Sequence, residues 1–230
     1  MTRVPAGAIV ALPAPAPGVA AWMCELARSE DEIAHLARLL SPAETTRAAR
    51  FGLPLLRDRY IVGRATLRTL LGERLGIPPE HVDIVRGKRG RPFVAQGDGL
   101  DFNVSHTAGT ALFGVAQHQR IGVDLERRDR ALNVEGVARK FMTPNEQAAL
   151  AVLDPDARRR ALLRLWTCKE AMSKATGDAL SAPFRRIGVD LGPPLRHVDG
   201  PPPYTPADWR LVPAEAPAEY LATVALWRGA

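Results

Sequence analysis

The segment Gly122-Val123-Asp124-Leu125-Glu126, taken with Trp166-Thr167-Cys168-Lys169-Glu170-Ala171-Met172-Ser173-Lys174, decides how this chain is read. The first has the two-residue alternation of a strand, so Asp124 and Glu126 share one face and Leu125 takes the other. The second reads as a helix, with Glu170 and Lys174 one turn apart on one stripe. Three carboxylates and an ammonium are what a hard cation and a phosphate group need. Magnesium takes oxygen ligands, accepts only one or a few carboxylates, and completes its octahedron with water and phosphate oxygens. A Mg2+-dependent reaction on a diphosphate is therefore the first expectation. Each segment alone also has an ordinary reading: a strand end with two solvated carboxylates, or an i,i+4 surface ion pair worth a few tenths of a kcal/mol.

Working outward, strands are expected near 102–104, 110–116 and 120–126, separated by glycine and polar turns. The second motif lies on a long helix that opens at Asp154-Pro155 and closes at Gly177. Thr143-Pro144-Asn145-Glu146 opens a preceding helix, as Ser29 with Glu32 and Ser41-Pro42 with Glu44 do earlier. A helical pattern at 57–75 ends at Gly76 and Pro78-Pro79. Further strands are expected at 19–26, 81–85, 187–191, 209–212 and 219–227, with a basic loop at 86–92 and a proline-rich loop at 192–206. Helices followed by strands, twice over, predict an α+β architecture in two similar halves, 1–118 and 119–230. The hexapeptide Arg120–Leu125 recurs unchanged at 186–191. Gly192 then replaces the carboxylate, so the copy is read as a strand of similar burial and not a second metal site.

The chain has 230 residues, 46% of them apolar and 24% charged, which describes a folded protein with a real core. No apolar run approaches a membrane span, and Pro5, Pro13, Pro15 and Pro17 interrupt the N-terminal apolar stretch, so no signal peptide is read. Cys24 and Cys168 lack metal-ligand spacing and favour a reducing, cytoplasmic setting. A net charge of +6 favours anionic partners.

Two helices carry charge where a core is expected. On a wheel of the 57–75 helix, Arg57, Arg64 and Arg68 fall within the apolar arc of Tyr60, Ile61, Leu67, Leu71 and Leu75. Lys169 lies inside the arc of its own helix. Unpaired buried charge costs several kcal/mol, so these groups meet internal carboxylates or reach an anionic ligand. Ser105-His106 is a polar turn after a strand, or a set of donors for phosphate oxygens.

Taken in order, the motifs resemble those of the surfactin-synthetase-type 4′-phosphopantetheinyl transferases. The likeness runs through Ser41-Pro42-Ala43-Glu44 with Arg47 and Phe51, Gly63-Arg64, Gly90-Arg91-Pro92, Phe102-Asn103-Val104-Ser105-His106, Gly122–Glu126, and Trp166 with Lys169-Glu170 and Lys174. It implies two α+β halves related by a pseudo-twofold axis, with coenzyme A and Mg2+ between them. It implies transfer of the phosphopantetheine arm of coenzyme A to a serine of an acidic acyl or peptidyl carrier protein, releasing 3′,5′-adenosine bisphosphate. Asp124, Glu126 and Glu170 would hold the metal, with Glu126 the one water can replace. Asn103, Ser105, His106 and Lys174 would lie at coenzyme A, the last three at its phosphates. Arg47 and the loop Arg86, Lys88, Arg89, Gly90, Arg91 would take its 3′-phosphate and adenine end. Glu170 would be the base and Lys174 would stabilise charge. The Arg139-Lys140-Phe141-Met142 segment offers positive charge beside apolar groups for carrier docking. Paired halves in one chain imply a monomer, and no nucleic-acid or membrane partner is expected. The rival is a basic, non-catalytic nucleic-acid-binding domain, which leaves the three carboxylates unexplained.

Overall fold

The computed structural model describes residues 9–87, 89–107 and 109–229. A hairpin of β1 (Ile9–Ala16) and β2 (Val19–Glu25) leads into helices α1 (Glu30–Ala37), α2 (Pro42–Ala48) and α3 (Pro54–Leu75). Strands β3 (Ile84–Arg86), β4 (Pro92–Val94), β5 (Leu100–Thr107) and β6 (Thr110–Gln117) follow. The chain continues as β7 (Arg120–Arg127), α4 (Val134–Phe141), α5 (Pro144–Ala151), α6 (Pro155–Thr176), β8 (Gly188–Asp190), β9 (Arg196–Asp199), β10 (Trp209–Pro213) and β11 (Tyr220–Trp227). From β2 onward, one strand, three helices and four strands occur twice in the same order. The sheets repeat too: β1-β2-β6-β5 in the first, β10-β11-β7 in the second. This is an α+β fold, and no helix among the described residues is long and apolar enough to cross a membrane.

Local chemistry sets the helix ends. Ser29 with Glu32, Ser41 with Glu44 and Thr143 with Glu146 all form reciprocal capping boxes. Helices α3 and α6 are each 22 residues long, open on a proline, and close on Gly76 and Gly177 in the left-handed conformation. Two of the capping carboxylates also solve the buried-charge problem. Glu44 takes Arg68 at 2.6 Å and Arg64 at 3.1 Å, while Arg68 also donates to the carbonyls of Pro79 and Val82. Glu146 takes Lys169 at 2.6 Å, and that ammonium also donates to the carbonyls of Phe141 and Phe184. Arg68 and Lys169 each sit fourteen residues past the proline that opens their helix. Lys169 and Arg68 are thus internal ties, whereas Arg57 is exposed beside Asp58.

Several elements differ from the sequence reading. The prolines at 13 and 15 sit in β1, an edge strand, where a missing N–H breaks no ladder. The first half therefore begins with strands before its helices. A 3-10 turn at Pro79–His81 shortens the strand expected at 81–85 to β3. Helix α4 and strand β9, the latter inside the proline-rich loop, had not been anticipated. The repeated hexapeptide does not occupy matching places either: β7 is buried along its length, but β8 is a three-residue strand whose Asp190 pairs with Arg196 near solvent.

Three apolar cores lie in layers. One joins α1, α2 and α3 to the four-stranded sheet, and another joins α4, α5 and α6 to the three-stranded sheet. The third fills the space between the sheets, with Met23 and Leu112 from one and Ile121, Val123, Leu125 and Val224 from the other. Where the sheets meet, β5 and β7 run side by side in the same direction without a backbone ladder. Alternate β5 side chains replace it. Asp101 Oδ2 accepts from Ile121 N at 2.8 Å, Asn103 Oδ1 from Val123 N at 2.9 Å, and Ser105 Oγ from Leu125 N at 3.3 Å.

With Ile121, Val123 and Leu125 facing the first sheet, Gly122, Asp124 and Glu126 face α6. Helix α6 approaches so closely that a Cβ at Gly122 would overlap the Ala171 carbonyl oxygen and crowd Ala175 N. Gly122→Ala should therefore destabilise the protein by about 2–3 kcal/mol, because backbone cannot yield as a flexible side chain can. Denaturant unfolding checks this, and an unchanged midpoint would contradict the close approach.

Candidate active site

The seam between β5, β7 and α6 gathers most of the chemistry. Lys174 Nζ lies 2.6 Å from Asp124 Oδ1, donates to Ser105 Oγ at 3.0 Å and reaches the Val123 carbonyl at 3.3 Å. Ser105 in turn donates to Asp124 Oδ1 at 2.9 Å. Asp124 is only 4% exposed. Its other oxygen, Oδ2, and Glu170 Oε1 are buried without a hydrogen-bond partner among the described residues. Glu126 is buried on the same face of β7 and is held by Arg130. Burial raises the Glu170 carboxyl above its ordinary value, the charges of Asp124 and Glu126 push the same way, and Lys174 opposes them. Burial and the Asp124 charge also raise Glu126, against Arg130, Lys174 and the Trp166 indole.

Among the described residues no three acidic, histidine or cysteine side chains form a ready metal cage. The donor set nevertheless suits magnesium, which needs few protein oxygens and relies on water and phosphate for the rest. Two buried carboxylate oxygens without partners are the kind of group such an ion satisfies.

A cleft of about 560 Å³ opens on the other face of β5. Arg47, Arg59, Arg64, Arg86 and His106 line it, with Phe51, Tyr60 and Val104 as apolar wall, and no carboxylate among the described residues lines it. The Phe51 and Tyr60 rings lie 5.3 Å apart, and the Arg47 guanidinium sits 5.8 Å from the Tyr60 centroid. The alternation of β5 thus turns Ser105 toward the acidic seam and His106 toward the cationic cleft.

The structure sorts the expected ligands. Asp124, Glu126, Glu170, Lys174 and Ser105 converge at the seam, and Arg47, Arg86 and His106 share the cleft. Lys88 lies outside the described residues. Asn103 is a rung of the β5–β7 ladder. Gly90 takes a positive φ of 75° and turns the basic loop, its carbonyl accepting from Arg86 at 2.8 Å. Two assignments need correction. Arg91 is buried, and its guanidinium is filled by a two-point pair with Asp101 and by the carbonyls of Phe102, Ile121 and Lys174. It ties the halves together and has no donor left for a phosphate. Arg89 turns out of the cleft to Asp178 at 2.7 Å. Arg59 had been missed. It has no acidic partner and lies against Gly109, and its signal was its place one turn before Gly63 in the Gly63-Arg64 motif.

Residues 120–225 match the 4′-phosphopantetheinyl transferase superfamily, and residues 25–118 match the N-terminal region of 4′-phosphopantetheinyl transferases. The chain is 37% identical over 175 residues to the 4′-phosphopantetheinyl transferase HetI of Nostoc sp., covering 75% of this chain and 73% of that one. It is 26% identical to the 4′-phosphopantetheinyl transferase of Bacillus subtilis, over 58% of each chain. It is 26% identical to the human L-aminoadipate-semialdehyde dehydrogenase-phosphopantetheinyl transferase, over 68% of this chain and 54% of that one. The chain belongs to the 4′-phosphopantetheinyl transferase superfamily, whose members carry phosphopantetheine from coenzyme A to carrier proteins.

The raised Glu170 carboxyl has a measurable consequence. A folded-state value above the ordinary 4.5 favours the protonated fold, so this group's contribution is full below 4.5 and is lost as pH rises through the folded value. Glu170→Gln should therefore melt above the parent at neutral pH, without added metal, and the gap should close on acidification toward 4.5. A gap that is absent at neutral pH, or that widens in acid, contradicts the burial argument. In the same helix, Lys169→Ala should cost about 3–5 kcal/mol by leaving Glu146 buried and unpaired. Thermal melts at neutral pH check it, and a loss under a quarter of that would deny the tie its role.

Proposed function

We propose that this enzyme is of the surfactin-synthetase type and moves the phosphopantetheine arm of coenzyme A onto a serine hydroxyl of an acidic acyl or peptidyl carrier protein. The observation that carries this reading is the junction of two charge environments at β5. A cleft lined by four arginines and His106, with no carboxylate among the described residues lining it, lies on one face; Asp124, Ser105 and Lys174 lie on the other, beside two carboxylate oxygens without a hydrogen-bond partner among the described residues. The diphosphate of coenzyme A suits that boundary, with the adenosine end in the cleft. Arg47, Arg59 and Arg86 face the 3′-phosphate, Phe51 and Tyr60 the base, and His106, Ser105 and Lys174 the diphosphate. The halves 1–118 and 119–230 are related by a pseudo-twofold axis in this reading, supported by the repeated element order and the matched Glu44–Arg68 and Glu146–Lys169 ties. A monomer in the cytoplasm completes it, since the site lies within one chain.

Asp124 and Glu170 would hold Mg2+, with Glu126 beside them, and the bound ion would supply charge that offsets the growing negative charge on the diphosphate. The serine oxygen attacks the phosphorus bearing the pantetheine arm, and the bond from that phosphorus to the bridging oxygen breaks. The departing 3′,5′-adenosine bisphosphate keeps the bridging oxygen and its electron pair. The serine proton passes to Glu170, directly or through a water. Lys174 stabilises the diphosphate oxygens.

Incubation with coenzyme A, Mg2+ and an apo carrier protein should add one phosphopantetheine mass to the carrier. The reaction should stop with a chelator and fall at least about a hundredfold in Glu170→Gln. An unmodified carrier, or a Glu170→Gln rate near that of the parent, contradicts the reading. Arg47→Ala and Arg59→Ala should each weaken coenzyme A roughly tenfold while changing dephospho-coenzyme A less. Equal losses for both ligands would remove these arginines from the 3′-phosphate.

A further inference from the structure

Asp178 follows the glycine that ends α6, and its carboxylate is held on both oxygens. Its Oδ2 accepts from the Tyr204 hydroxyl at 2.7 Å and from Thr176 Oγ1 at 3.0 Å. Its Oδ1 takes Arg89 Nη1 at 2.7 Å, across 89 residues of sequence. The carboxylate is 17% exposed while Arg89 is 67% exposed, so the buried partner is fixed and the outer one is captured by it. The two segments also pack closely: a Cβ at Gly177 would lie 3.3 Å from Arg91 Cβ and 3.8 Å from Arg89 Cβ. Ala179, next in the chain, holds a φ of +49°, a conformation that costs an alanine and persists only where neighbours enforce it.

The captured loop has a defined job. It carries Arg86, whose guanidinium donates to Gly90 and lines the cationic cleft. Helix α6 carries Glu170 and Lys174. We propose that the Asp178–Arg89 pair is a latch that positions the 86–91 loop against the end of α6, so that the cleft and the acidic seam keep one spacing. Asp178 and Arg89 are positioning residues; neither touches coenzyme A, and Arg89 acts through Arg86. This rests on the functional reading above, because the latch matters only if one ligand spans both regions. The inter-half pair is worth more than its exposed arginine alone implies, since the hydroxyls of Tyr204 and Thr176 pre-orient the carboxylate before Arg89 arrives.

The test is a double-mutant cycle on the intact enzyme, read as coenzyme A affinity by calorimetry and as kcat and KM of carrier modification. Asp178→Asn keeps one carbonyl oxygen for the two hydroxyls and puts an amide NH2 where Oδ1 faces Arg89, removing both the charge and the acceptor of the pair. Asp178→Asn and Arg89→Ala should each raise the Kd and KM for coenzyme A about three- to tenfold with kcat little changed. The double variant should be no worse than either single one. Tyr204→Phe, which leaves the ring in place, should move KM in the same direction by a smaller factor. If Arg89→Ala weakens coenzyme A while Asp178→Asn does not, Arg89 meets the ligand itself and the latch is overturned. Normal affinity in both, additive losses in the double variant, or a fall in kcat that tracks melting temperature would overturn it as well. A parent enzyme that neither binds coenzyme A nor modifies a carrier would instead refute the functional reading, so the two failures are separable.

Discussion

Side chains on one strand stand in for the carbonyls of an absent neighbour, and the rest of the molecule depends on that substitution. A backbone ladder between β5 and β7 would fuse the two sheets into one. Asp101, Asn103 and Ser105 instead accept the N–H groups of Ile121, Val123 and Leu125. Each such bond contributes about 1 kcal/mol net, and each would cost more if its buried N–H were left alone. The arrangement keeps the strands in register while leaving polar, chemically useful groups between them. Its last rung reaches into the acidic seam: Ser105 accepts from Leu125 and also bonds Asp124 and Lys174.

The halves stabilise themselves by one device and then diverge. In each, a capping-box glutamate keeps its cap and also neutralises a cation buried in the next long helix. Breaking such a pair is costly because the survivor stays buried and charged. With the interior charges settled in this way, the remaining charge is free to differ. The first half turns arginines toward a cleft without carboxylates; the second turns Asp124, Glu126 and Glu170 toward the seam. Arg91 then pins β5, β7 and α6 together by bonding Asp101, Ile121 and the Lys174 carbonyl.

What the sequence disclosed follows from how local each signal is. Capping boxes, helix-ending glycines and strand alternation are decided within a few residues, so the helix starts and the facing of Asp124 and Glu126 were legible. Roles that depend on a distant partner were not. Arg91 and Arg89 sit in a stretch that reads as a solvated basic loop, and only Asp101 and Asp178, remote in sequence, reveal them as ties. Whether Lys169 met an internal carboxylate or an anionic ligand was open in the sequence, and Glu146 at 2.6 Å decides it. Prolines hid β1 because an edge strand tolerates what an inner strand does not. Arg59 was passed over because its lack of a partner is visible only once the chain has folded.

The central claim is that Asp124 and Glu170, brought together across β7 and α6 by the close approach at Gly122, share one divalent ion beside a bound diphosphate. Anomalous diffraction from crystals grown with Mn2+ and coenzyme A tests this most directly. The account predicts a single strong peak within bonding distance of Asp124 Oδ2 and a Glu170 carboxylate oxygen, touching the diphosphate. A peak that lies on neither carboxylate, or coenzyme A bound with its diphosphate away from Lys174, would contradict it.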